Sequence, residues 1–217
     1  MALKAILCDL DGTLVDSAED ISAALNQLLS ELGRRRIGVD EVKGMVGDGV
    51  GNLIERALAA TGGDPASAAD LVPRFLALYE PIAARATRPY PEVPETLRTL
   101  KARRLRLAVV TNKLEAPTHQ ILRGLGLDRF IDAVVGGDTL AERKPHPAPV
   151  VFALKTLGVD PAEAVMVGDN YHDVQSARAA GVRTIAVTYG YSHVPHDELG
   201  ADRLIGSFSQ LFEVLPD

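Results

Sequence analysis

Lys4-Ala5-Ile6-Leu7-Cys8-Asp9-Leu10-Asp11-Gly12-Thr13 carries the strongest fold signal in this chain. A short apolar run ends on an aspartate, and Gly12-Thr13 supplies a turn. That pattern reads as a buried strand whose C-terminal end opens into a polar loop. Beyond residue 89 the same texture repeats. Strands are expected at 105–110, 133–135, 164–167, 182–187 and 203–205, and helices at 116–125, 147–157, 174–180 and 208–215. Alternating strands and helices call for right-handed crossovers and a parallel sheet.

Between the first strand and the second lies a block of another kind. Ser17 and Asp20 form a capping-box variant ahead of Ile21, Ala24, Leu25, Leu28, Leu29 and Leu32, a helical spacing that stops at Gly33. Gly47-Asp48-Gly49 interrupts the pattern; Val50, Leu53, Ile54, Ala57 and Leu58 resume it, and a further helix is expected from about residue 64 toward 86. Pro89, Pro91 and Pro94 then form a stiff re-entry linker. The expected fold is α/β: a Rossmann-like parallel-sheet core of residues 1–14 and 84–217, with a small helical domain, residues 15–83, inserted after the first strand.

Composition narrows the function classes. The 217 residues are 47% hydrophobic and 24% charged, with a net charge of −6. Those values exclude a disordered tail, a collagen-like chain and a coiled coil. An acidic balance argues against a nucleic-acid partner. The single Cys8 forms neither an internal disulfide nor a metal cluster, so a reducing cytoplasm is the expected compartment. No stretch reaches the roughly 18 apolar residues of a membrane span, and the N-terminal apolar run is too short for a signal peptide.

In open α/β sheets, ligands bind outside the carboxyl ends of the strands. There stand Asp9-Leu10-Asp11-Gly12-Thr13, Thr111-Asn112, Lys144-Pro145 and Gly168-Asp169-Asn170-Tyr171-His172-Asp173. Taken singly, each reads as a turn, a helix cap or a surface residue. Together they bring four carboxylates, a hydroxyl and an ammonium to one rim. Packed carboxylates require a cation, and a hard divalent ion with oxygen ligands, Mg²⁺ above all, suits them.

These four motifs, in this order, resemble the haloacid dehalogenase superfamily of phosphohydrolases over nearly the whole chain, with the helical block matching the family's mobile cap. Three further stretches resemble its phosphoglycolate phosphatase branch. They are Val46-Gly47-Asp48-Gly49-Val50 with Leu53-Ile54-Glu55-Arg56, Gly137-Asp138 ahead of Lys144-Pro145-His146-Pro147, and Thr188-Tyr189-Gly190-Tyr191.

The resemblance implies hydrolysis of a small phosphorylated metabolite through an aspartyl-phosphate, which splits one hard displacement into two. Asp9 would be the nucleophile, and Asp11 the acid of the first step and the base of the second. Gly12 would let the backbone turn so that nearby amides face the phosphoryl oxygens. Mg²⁺ would bind Asp9, the carbonyl of Asp11 and Asp169. Thr111, Asn112 and Lys144 would hold the phosphoryl group, and Asp173 would hold Lys144 or a metal-bound water.

The cap would act as a lid, hinged near 15–17 and 84–88. Amides at Gly47-Asp48-Gly49 would take a substrate carboxylate unless Asp48 caps them itself; Lys43 and Arg56 are candidate cations there. His119, His146, His172, His193 and His196 lack metal-ligand spacing, and His172 is expected at the surface. Cys8 is expected to be a buried strand residue, and Glu92 stands where the family often has Gly. The alternatives are a phosphatase for pyrophosphate or a sugar phosphate, a phosphosugar mutase, or a phospho-accepting signalling receiver. A receiver, however, carries its acidic pair before the phosphorylated Asp and has no insert. The expected state is a monomer or weak homodimer, without membrane or nucleic-acid partners.

Overall fold

The computed structural model describes residues 2–215. Strand β1 (Ala5–Cys8) lies at the centre of a six-stranded sheet with β4 (Arg106–Val110), β5 (Ala133–Val135), β6 (Ala164–Gly168), β7 (Arg183–Val187) and β8 (Arg203–Ile205). The order is β5-β4-β1-β6-β7-β8 and every pairing is parallel. Successive side chains of a strand face opposite ways, so β1 serves two cores. Ile6 and Cys8 join one apolar cluster with Leu107, Val109, Val165 and Val167. Ala5 and Leu7 join another with Val110, Met166, Val150 and Leu154. Burial on both faces is why these strands read as unbroken apolar runs.

Helices α5 (Val93–Ala102) and α6 (Glu115–Gly124) cover the first face, and α7 (Ala148–Leu157) with α8 (Tyr171–Ala179) covers the second. A short α9 (Leu211–Val214) follows a 3₁₀ turn at Phe208–Gln210, in place of one helix over 208–215. Helix α5 was not foreseen, because its first turn lies among the prolines read as a linker. Pro94 sits at the start of the helix, where a missing N–H is harmless. Glu92 precedes it with a φ of 66°, a left-handed conformation that glycine adopts without strain. That backbone demand accounts for the glycine expected at this position.

The insert contains α1 (Ala18–Glu31), α2 (Val39–Lys43), α3 (Val50–Thr61) and α4 (Ala68–Tyr79). The single helix expected over 64–86 is divided: 3₁₀ turns at Pro65–Ser67 and Glu80–Ile82, each with a proline, flank α4. The one-turn α2 is too short to show a period. Leu25, Ile54 and Phe75 from the insert belong to the same apolar cluster as Ile6 of β1. The chain enters and leaves the insert through an antiparallel ribbon, β2 (Val15–Asp16) against β3 (Arg88–Pro89).

The expected Ser17 capping box does not form. Ser17 makes no side-chain cap bond; its hydroxyl donates to Asp11 Oδ1 at 2.5 Å. The Tyr191 hydroxyl accepts the N–H groups of Ser17 and Ala18 instead, at 2.9 and 3.1 Å. Asp20 turns to the other connection, accepting from the N–H of Ala86 and from both the N–H and the hydroxyl of Thr87.

Candidate active site

Asp9 leaves the C-terminal end of β1, the strand from which the sheet continues both ways, to β4 and to β6. Asp9, Asp169 and Asp173 offer carboxylate oxygens that all lie within 4.8 Å of one another, and all three residues are buried. Lys144 stands among them. Its Nζ is 2.6 Å from the Val110 carbonyl, 2.5 Å from Asp173 Oδ1 and 3.1 Å from Asp9 Oδ1. An ammonium has three protons, and these three partners fix its position. Burial alone pulls the Lys144 ammonium down, but the charges of Asp173 and Asp9 outweigh it and hold it protonated.

The carboxylates respond the opposite way. Burial pushes Asp9 up to about 6, against the pull of Lys144 and with help from Asp173. Asp169 is raised well above the usual carboxylate range by burial, then by Asp173 and Asp9. Buried acids with surplus negative charge suit a divalent cation. The oxygens of Asp173 are otherwise engaged: Oδ1 takes Lys144, and Oδ2 accepts the N–H groups of Asp169 and Asn170. Asp9 and Asp169 are the better ligands. This buried triad fits a metal ion.

Asn170 caps α8, accepting the Tyr171 N–H, while Asp173 reciprocates at the third helical position. The Asn-x-x-Asp spacing signals such a box, so α8 begins at Tyr171 rather than at 174. The earlier start carries His172 inward, to 2% exposure. The expectation of a surface histidine is wrong, because His172 packs against Asp48 of the insert.

Gly12 adopts a φ of +85°, and a Cβ there would run into the Asp169 carboxylate. Asp11 is set apart from the triad. Its carboxylate accepts from Ser17 Oγ and from Lys113 Nζ, the latter 2.9 Å from Oδ2. Lys113 directly follows Thr111-Asn112, and a lone lysine after a strand end carries no signal in the sequence that separates it from a surface residue. The Thr111 hydroxyl accepts the Lys113 N–H. The side-chain amide of Asn112 is fully occupied: Nδ2 donates to the carbonyls of Gly47 and Lys144, and Oδ1 accepts the Lys144 N–H. Its main-chain N–H has no acceptor among the described residues.

The insert's expected cations are also engaged. Lys43 bonds Asp16 at 3.2 Å, and Arg56 bonds Asp48. Asp48 does not cap α3, whose N-cap is Gly49 without a side-chain bond. Between the insert and the strand ends lies an open cavity, lined by Asp9, Asp11, Thr111 and Lys113 below and by Val46, Val50, Leu53, Phe75, Leu76 and Tyr79 above.

A parallel α/β sheet that gathers Asp9, Thr111, Lys144 and Asp169 beneath a helical insert defines a hydrolase of one class. The haloacid dehalogenase-like hydrolase family matches residues 6–187, and the chain belongs to that family. Membership sets aside the signalling receiver. Within the family, the chain is 45% identical to the phosphoglycolate phosphatase of Rhodospirillum rubrum, over 96% of this chain and 89% of the relative. It also superposes on a crystal structure of a predicted phosphoglycolate phosphatase from Haemophilus somnus with a TM-score of 0.93, at 31% identity over 99% and 98% of the two chains. A third likeness is to CbbY from Rhodobacter sphaeroides in complex with phosphate, with a TM-score of 0.82 and 29% identity over 96% of each chain. No helix of the described residues is long and apolar enough to cross a membrane.

Proposed function

We propose that this enzyme is a Mg²⁺-dependent phosphatase whose substrate is phosphoglycolate, released as glycolate and phosphate. The observation that carries the reading is Asp9, at the end of a buried strand, with Lys144 Nζ 3.1 Å away and an open cavity above it. The names of the relatives support the choice of substrate. The apolar roof of the cavity supports it too, because a sugar phosphate or a mutase intermediate would leave hydroxyls unpaired against Val50, Leu53 and Phe75.

Asp9 attacks phosphorus, forming an aspartyl-phosphate as the bond to the ester oxygen breaks. Asp11 gives its proton to that oxygen, then takes one from the water that releases phosphate and regenerates Asp9. Asp9, Asp169 and the Asp11 carbonyl would hold Mg²⁺, which when bound would supply the positive charge that lets a carboxylate approach an anionic phosphoryl group. Lys144 balances the remaining charge, and Asp173 orients it. The Thr111 hydroxyl donates to a phosphoryl oxygen. The Asn112 contribution passes to its main-chain N–H, since its side chain holds Lys144 and the insert. The N–H groups of Gly12 and Thr13 are taken by the Val15 and Leu10 carbonyls, so the amide beside Gly12 that serves the same oxygens is that of Asp11. Residues 15–83 act as a cap on the core of 1–14 and 84–217, bending near 15–17 and 84–88.

Asp9→Asn should abolish turnover and phosphoenzyme while the protein stays folded. Asp11→Asn should block turnover but still bind Mg²⁺, through its main-chain carbonyl. Substantial activity in Asp9→Asn overturns the nucleophile. If phosphoglycolate is not among the best substrates by kcat/KM, compared with pyrophosphate and hexose phosphates, the substrate is wrong while the phosphatase stands.

A further inference from the structure

We propose that Lys113 and Tyr79 form the subsite for a carboxylate on the leaving group, and so select which phosphate ester is hydrolysed; this rests on the phosphatase reading above. Lys113 is the one cationic side chain among the described residues lining the cavity. Lys43 and Arg56, the cations of the insert nearest in sequence to the site, are bonded to Asp16 and Asp48. The Lys113 side chain is only 9% exposed. Two of its three protons serve the Asp11 oxygens, at 2.9 and 3.2 Å, and the third is on the side of the Tyr79 hydroxyl, where a ligand would share it.

Tyr79 adds to this. It is 3% exposed, and its hydroxyl, which makes no well-formed hydrogen bond among the described residues, has the Lys113 ammonium as its polar neighbour. A buried hydroxyl without a well-formed hydrogen bond is costly, and this one belongs to a residue that lines the cavity beside Lys113, whose Nζ lies 4.9 Å from the Tyr79 ring centre. Burial pushes the phenol up to about 12, so it stays a donor. Burial pulls the Lys113 ammonium down, but Asp11 outweighs it and keeps it charged.

Distance sets the length of the preferred leaving group. Asp11 must touch the ester oxygen to protonate it, and Lys113 touches Asp11. An anionic group one methylene from the ester oxygen therefore falls within reach of Lys113, and glycolate has that length. A longer leaving group would carry its anion past the ammonium and into the apolar roof. The subsite has one wall on the loop after β4 and the other on α4 of the insert, so it is complete only when the insert sits on the core.

The test compares phosphoglycolate with ethyl phosphate, which lacks the carboxylate, in the wild type, Lys113→Met and Tyr79→Phe. The wild type should favour phosphoglycolate by kcat/KM. Losing one charge-assisted hydrogen bond should shrink that preference by about 30-fold in Lys113→Met, and losing a neutral one by about fivefold in Tyr79→Phe. Lys113→Met should also lower turnover of both esters through Asp11, so the ratio between the esters, rather than the rate, is the readout. Inhibition by free glycolate should weaken in step. A wild type without the preference overturns both the substrate and the subsite. A preference that survives within about threefold in both variants overturns the subsite alone. If Lys113→Met fails to fold, Tyr79→Phe decides by the same ratio.

Discussion

Asp9 and Asp169 are held where their charged forms are disfavoured, and that has a measurable consequence. The pKa of Asp9, raised to about 6, exceeds the value near 3.9 of an unfolded aspartate. The unfolded chain therefore releases this proton first. The stability linked to Asp9 is fully present below the unfolded value and is lost as pH rises through about 6. Asp169 shifts in the same direction. A divalent cation that binds the ionised pair should restore what is lost, while protons should displace it at low pH. Saturating Mg²⁺ should thus raise the melting temperature more near pH 7.5 than near pH 5 in calorimetry, and a chelator should abolish turnover. Equal shifts at both pH values would show that the cation does not bind these carboxylates.

Helix α1 shows how an element can look self-sufficient in sequence and still depend on a distant residue. Ser17 and Asp20 have the right chemistry to cap it, but each finds another partner, in Asp11 and in the Ala86-Thr87 connection. The Tyr191 hydroxyl takes over the free N–H groups and also donates to Asp16 Oδ1, while its own N–H binds Asp169. Tyr191→Phe removes that cap and leaves buried groups unpaired, so it should destabilise the protein by about 1–2 kcal/mol. Urea denaturation measures this, and a change below about 0.5 kcal/mol would mean that water serves the helix end as well. Helix α5 teaches the reverse lesson: Pro94 marked a helix start, although the density of prolines around it suggested a linker.

Across the whole molecule, the insert and the core are joined by more than the ribbon of β2 and β3. Asp48 meets His172 of α8, and the Gly47 carbonyl accepts from Asn112, which also grips Lys144. The insert is therefore tied to the residues that would hold the phosphoryl group. Asp48→Ala should loosen the closed arrangement, raising KM for the phosphate ester by about three- to tenfold, the equivalent of one lost hydrogen bond. Hydrogen exchange at 47–50 should quicken in parallel; unchanged exchange would show that Asp48 does not hold the insert down. By itself, the sequence determined the parallel sheet, the insertion after its first strand and the residues at the strand ends. Each of those rests on local periodicity and on strands delivering their C-terminal ends to one rim. The tertiary structure alone decided what Asp11, Ser17, Asp48, Asn112 and His172 touch, and that Lys113 and Tyr79 share a cavity. Most of those partners lie tens to more than a hundred residues apart, and even Ser17 reaches Asp11 only through the folded turn. Which of several competent polar groups pairs with which is settled only when burial removes water as the alternative partner.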